Sequence, residues 1–79
     1  MKSRISLITK IKKIFRKELG INITLNSKIY DYEQWDSMGN FNILLRCEKH
    51  FNVKLSSKEF GKTNSVKEIL KLVKKKTKI

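Results

Sequence analysis

Trp35-Asp36-Ser37-Met38-Gly39-Asn40-Phe41-Asn42-Ile43-Leu44-Leu45-Arg46-Cys47-Glu48-Lys49-His50 is the stretch on which the fold turns. Asp36 is an N-cap residue type set directly before an apolar run, which predicts a helix from Ser37 to about His50. Met38, Phe41, Leu44 or Leu45, and Glu48 fall along one side of it, with Ile43 and Cys47 beside them. Downstream, Ser56 pairs with Glu59 and Ser65 with Glu68, each in capping-box spacing. The first box opens a short helical turn carrying Phe60. The second opens a last helix, in which Val66, Ile69, Leu70 and Val73 follow the i, i+3, i+4, i+7 pattern. The tail Lys74-Lys75-Lys76-Thr77-Lys78 continues or frays it.

Upstream, residues 4–18 read as another helix. Ile5, Ile8, Ile11 or Lys12, and Phe15 recur at helical spacing, and Leu7, Ile14 and Leu19 widen the stripe. Gly20 is a stop signal. Residues 20–35 lack helical periodicity. Ile21, Ile23 and Leu25 alternate with Asn22 and Thr24, as in a short strand, but no second strand of comparable quality exists to pair with it. The segment is therefore expected to be an extended loop, pinned to the bundle by those side chains and by Ile29, Tyr30, Tyr32 and Trp35. The predicted fold is all-α: three main helices plus one short helix, with a long loop between the first two.

The 79 residues imply one domain, taken as 1–79 with a Lys-rich tail from about residue 74. A chain of this size buries only about 60–65% of the surface its unfolded form exposes, so a deep active-site cavity is not expected. Lys and Arg outnumber Asp and Glu 19 to 7, a net charge of +12. Such a balance suits an anionic partner (nucleic acid, an acidic membrane surface or an acidic protein) or simply a solvated basic surface. Cys47 is the only cysteine, which excludes an intrachain disulfide and fits a reducing compartment. There is no apolar run of membrane-spanning length, and the basic start Met1–Lys10 lacks a continuous apolar stretch and a small-residue cleavage site. A soluble cytoplasmic monomer is the default expectation.

Catalytic constellations are absent from the sequence. The acids are scattered, and His50 has no Cys or Asp at triad or metal spacing. The three glycines are single and form no phosphate loop. Cys47, mid-helix among apolar residues, reads as a packed thiol. Taken locally, Ser37 and Asp36 read as helix caps.

Across residues 36–73 without a gap, and more loosely over the whole chain, the sequence resembles the acyl carrier protein family, which includes peptidyl and D-alanyl carriers. The family's Asp-Ser-Leu motif stands here as Asp36-Ser37-Met38. Its following helix, acid and aromatic stand as Phe41, Ile43, Leu44, Leu45, Glu48 and Phe51. Val53 and Leu55 match its alternating pair, and Ser65-Val66 its opening of the last helix. The resemblance implies that Ser37 carries 4′-phosphopantetheine through a phosphodiester on Oγ, flanked by Asp36 and Met38. A phosphopantetheinyl transferase would install it from coenzyme A. The arm's thiol then holds an acyl or aminoacyl group as a thioester, which a ligase or acyltransferase loads and an acceptor enzyme receives. The chain itself would be no enzyme. The physical reading agrees: a first-turn position has N–H groups without intrahelical partners and a positive dipole, which favour an attached phosphate.

The chain departs from the family in charge. Carboxylates are common on the second helix of fatty-acid carriers, but here only Glu48 clearly matches. Gly39, Asn42, Lys49 and His50 stand at such positions, and Arg46 adds positive charge. Phe41, Arg46, Glu48 and Lys49 are the expected docking residues, and their charge points to a specialised pathway rather than fatty-acid synthesis. Phe41, Phe60 and Thr63 leave less room for a long chain, so a short acyl or aminoacyl cargo is expected. The alternative is a small basic helical module that binds nucleic acid or an anionic membrane surface. The intact Asp36-Ser37-Met38 motif weighs against it.

Overall fold

Gly20 adopts φ +68, a conformation that suits a residue without Cβ, and its N–H closes on the Arg16 carbonyl at 2.9 Å. It ends α1 (Ser3–Leu19) as the sequence implies. The computed structural model describes residues 3–77, with side chains from Leu7 onward. After α1 come α2 (Ser37–Phe51), α3 (Ser57–Lys62) and α4 (Val66–Thr77). The described residues thus form the expected three main helices and one short one. Lys78 and Ile79, at the end of the expected tail, lie outside them, as does the side chain of Ile5.

α1 packs on α2, and α4 packs against both. Ile11, Phe15, Trp35, Ile43, Cys47, Val66 and Ile69 are fully buried at their junction. Phe15 meets the Trp35 ring edge-on, with centroids 4.6 Å apart. Burying an aromatic side chain of this size removes about 150–250 Å² from water, on the order of 4–6 kcal/mol before entropy is counted. Trp35 is thus the main anchor of the loop that precedes α2.

On α1 and α2 the buried side differs in detail from the expected stripe, whereas α4 buries Val66, Ile69 and Val73 as expected. On α1 it is Leu7, Ile11, Ile14 and Phe15, with Ile8 and Leu19 at its edges. Adjacent apolar residues left the axis of the stripe ambiguous, and the loop residues Ile21, Ile23 and Trp35 join the same cluster. On α2 the buried set is Gly39, Asn40, Ile43, Leu44 and Cys47. Met38, Phe41 and Leu45 are instead exposed, at 66%, 47% and 40%. Asn40 shares the buried face with Ile43, Leu44 and Cys47 and supplies the acceptor that the buried Trp35 indole needs, while Met38, Phe41 and Leu45 fall on the other side.

In the loop, Ile21 and Ile23 are buried, but Leu25 is half exposed. A turn closed by Ser27 N–H to the Thr24 carbonyl at 3.1 Å lifts Leu25 off the bundle. Tyr32 anchors the loop as expected, donating to the Asn22 carbonyl at 3.0 Å. Tyr30 does not anchor it, being 67% exposed. The loop also finds a pairing that the strand-like alternation did not suggest, an isolated antiparallel bridge between Lys28 and Ser65. Through it Val66 N–H, an orphan donor at the start of α4, reaches the Ser27 carbonyl at 3.0 Å.

The capping box of Ser56 and Glu59 is complete in both directions. That of Ser65 is half formed: Ser65 Oγ accepts from Glu68 N–H at 3.2 Å, but the Glu68 carboxylate reaches back to Asn64 N–H instead. Glu59 also pairs with Lys76 at 3.0 Å and ties α3 to α4. Cys47 is fully buried, and burial pushes its thiol pKa up to about 12, in keeping with a packed, unreactive side chain. Among the described residues no helix is long and apolar enough to cross a membrane.

Candidate functional site

Asp36 leaves the loop in an extended conformation, and its Oδ1 accepts the Gly39 N–H at 2.8 Å while its carbonyl accepts the Asn40 N–H at 2.8 Å. The first of these takes one orphan donor of α2, and the second is the first rung of the helix itself. The N–H groups of Ser37 and Met38 remain, at the positive end of the helix. Ser37 is the first residue of α2 and is exposed. Its Oγ lies 2.8 Å from the phenol oxygen of Tyr30.

The turn before Ser37 is held from beneath. Trp35 Nε1 donates to Asn40 Oδ1 at 2.9 Å, and Asn40 Nδ2 donates to the Thr63 carbonyl at 3.0 Å. This buried chain runs from the loop through α2 to the end of α3 and satisfies every polar atom of the Asn40 side chain that it engages. Gly39 adds a steric requirement, since a Cβ there would lie 2.5 Å from the Gln34 carbonyl oxygen. Glycine lets the loop backbone press against the first turn of α2.

A cleft of about 460 Å³ opens beside Ser37. Its walls include Tyr30, Asn40, Phe41, Phe60 and Asn64. The Phe41 and Phe60 rings pack with centroids 5.2 Å apart, bridging α2 and α3. An exposed hydroxyl on a rigid helix start, with free N–H donors and an adjoining cleft, fits a covalently attached phosphodiester arm. Among the described residues no group of His, Cys, Asp and Glu is gathered to hold a metal ion.

The other expected site residues are distributed along α2. Met38 is exposed next to Ser37, and Phe41 stands one turn further on. Arg46 is bound to Glu18 of α1 at 2.8 Å and lines a second cleft with Lys10, Lys13, Lys17 and His50. Glu48 is partly buried, and its Oε2 accepts the Leu55 N–H at 2.7 Å, fastening the segment after α2. Lys49 is exposed. Ser37, Met38 and Phe41 thus share one end of the helix, while Arg46, Glu48 and Lys49 occupy the other. Sequence reasoning missed Tyr30, Asn40 and the steric role of Gly39. A polar Asn in an apolar run five residues after a Trp was the one signal available for Asn40. Nothing in the pattern marked Tyr30.

The sequence profile described as the phosphopantetheine attachment site matches residues 9–73. No curated protein matches the chain. Among solved structures, an acyl carrier protein from Thermotoga maritima superposes with a TM-score of 0.80 at 22% identity, over 95% of this chain and 91% of that one. Likeness at that identity bears on the fold alone.

Proposed function

The chain belongs to the phosphopantetheine attachment-site family, and on that premise we propose that Ser37 is the residue modified and that the protein holds an acyl or aminoacyl group for a specialised biosynthetic pathway. Domains of this family are non-catalytic carriers that bear a covalently attached 4′-phosphopantetheine. The observation that carries the reading is the position of the Ser37 hydroxyl, exposed at the first residue of α2 beside a turn capped by Asp36. Residues 1–79 act as one carrier domain, a cytoplasmic monomer served by a phosphopantetheinyl transferase, a loading ligase or acyltransferase and an acceptor enzyme.

In this reading each residue of the motif has a physical task. Ser37 offers Oγ as the nucleophile that becomes the ester oxygen. Asp36 holds the turn by occupying the Gly39 N–H. That leaves the Ser37 and Met38 N–H groups to donate to the phosphodiester, whose negative charge the helix start favours. The bound arm supplies a terminal thiol, on which cargo is held as a thioester. Met38, with Phe41 a turn away, gives partner enzymes an apolar contact next to the modified serine.

The packed Phe41–Phe60 pair at the cleft supports a short acyl or aminoacyl cargo, because rings at this position occupy space that a long chain would need. The basic second helix supports partners with acidic or neutral docking surfaces. Ser37→Ala tests the site: the variant keeps its fold, because Asp36 still caps α2, and gains no phosphopantetheinyl group. Modification of that variant at another residue would remove Ser37 from the mechanism.

A further inference from the structure

Tyr30 combines a left-handed backbone with an exposed side chain. Its backbone sits at φ 73, in the left-handed region that a bulky L-residue enters at a cost. The residue is 67% exposed, so packing does not compensate for that cost. Backbone strain of this kind persists where the surrounding structure enforces it, and it concentrates at functional sites. Here the enforcing bonds are on either side. Tyr30 is the third residue of the turn closed by Asp31 N–H to the Lys28 carbonyl at 3.0 Å, a position at which turns take positive φ, and its own N–H donates to the carbonyl of the buried Trp35 at 2.7 Å. The result is a phenol oxygen 2.8 Å from Ser37 Oγ.

We propose that Tyr30 is a positioning residue for the modification of Ser37, its phenol donating a hydrogen bond to Oγ before and after the transfer. This rests on the reading of Ser37 given above. The direction of the bond follows from the chemistry. Once Oγ bridges carbon and phosphorus it carries no proton, so a bond kept through the reaction must be donated by Tyr30. In that direction the bond fixes the Ser37 rotamer, which is otherwise free at an exposed helix start. One lone pair of Oγ stays available for attack. In the transfer, Oγ attacks the phosphorus of the coenzyme A diphosphate that bears the pantetheine. The Oγ–P bond forms, and the P–O bond to the adenosine bisphosphate breaks, its electron pair leaving with that group. The Ser37 proton passes to a base on the transferase, and Tyr30 keeps its own proton throughout.

The test uses the full chain with coenzyme A and a promiscuous phosphopantetheinyl transferase, following modification by mass. In wild type Ser37 is modified. In Tyr30→Phe the turnover number falls about threefold to tenfold, the effect of losing a rotamer lock or one ordinary hydrogen bond, while KM for the carrier is unchanged. The ³¹P resonance of the attached phosphodiester also moves between the two modified proteins. Tyr30→Asn, whose side chain tolerates the left-handed conformation, is slowed to the same extent at undiminished thermal stability. Equal turnover numbers in wild type and Tyr30→Phe, a change confined to KM, or a loss of rate that only follows a loss of stability would each overturn the role of Tyr30 and leave the carrier reading standing. Unmodified wild-type protein would overturn both.

Discussion

Trp35 Nε1 and Asn40 Oδ1 meet at 2.9 Å in the interior, joining the loop that carries Asp36 to the helix that carries Ser37. The bond explains why a polar side chain occupies a core position of α2. A site that must present a hydroxyl to other proteins needs its supports below and its contact surface above. This pair provides the first, and Met38 and Phe41, exposed on the other side of α2, provide the second.

Removing that support has a defined cost. Asn40→Ala leaves the buried indole N–H and the Thr63 carbonyl without their partner, and unsatisfied buried groups cost roughly 1–3 kcal/mol each. A loss of about 2–4 kcal/mol is expected in urea unfolding, with the slope unchanged. A loss below about 0.5 kcal/mol would mean that the Trp35–Asn40–Thr63 chain contributes nothing to the turn.

The third helix is expected to be acid-sensitive. The Glu59 carboxyl is held below its ordinary range chiefly by the Ser56 backbone N–H, and then by the Lys76 ammonium. A depressed carboxyl contributes stability that is fully present above its unfolded value of about 4.3 and is lost as pH falls through the lower folded value. The gap in thermal stability between wild type and Glu59→Gln should therefore be open at neutral pH and close progressively below about pH 4. A gap that stays constant down to strong acid would dissociate stability from this carboxylate.

The basic end of α2 makes a kinetic prediction. Changing Arg46 and Lys49 together to Glu should slow loading by the cognate enzyme, mainly through an association rate that weakens with salt. Arg46 also holds Glu18, so Lys49→Glu alone is the cleaner probe, since it leaves that pair intact. Unchanged loading of both variants at low salt would shift docking onto Met38 and Phe41. Binding of wild type to DNA or anionic vesicles should be weak and vanish with salt. Tight binding at physiological salt would favour the basic-module alternative.

Much of the fold was legible because its signals are local. Asp36, Ser56, Ser65 and Gly20 marked where helices start or stop, and Val66, Ile69 and Val73, with Leu70 at the edge, marked the buried face of α4 at helical spacing. The α2 face was misread because Asn40 satisfies a tertiary partner, and no periodicity records the need of a distant indole for an acceptor. Leu25 and Tyr30 were misread for a related reason. Whether a loop residue anchors depends on turns made elsewhere, here the Thr24–Ser27 turn and the left-handed backbone of Tyr30. Ser37 could be singled out only through its motif and register, since by itself it is one more hydroxyl at a helix start.

The decisive measurement is the intact mass of the wild-type chain after incubation with coenzyme A and a promiscuous phosphopantetheinyl transferase. A carrier gains one phosphopantetheinyl group, localised by fragmentation to Ser37 and absent from Ser37→Ala. An unchanged mass with several transferases, each active on a control carrier, would contradict the carrier reading.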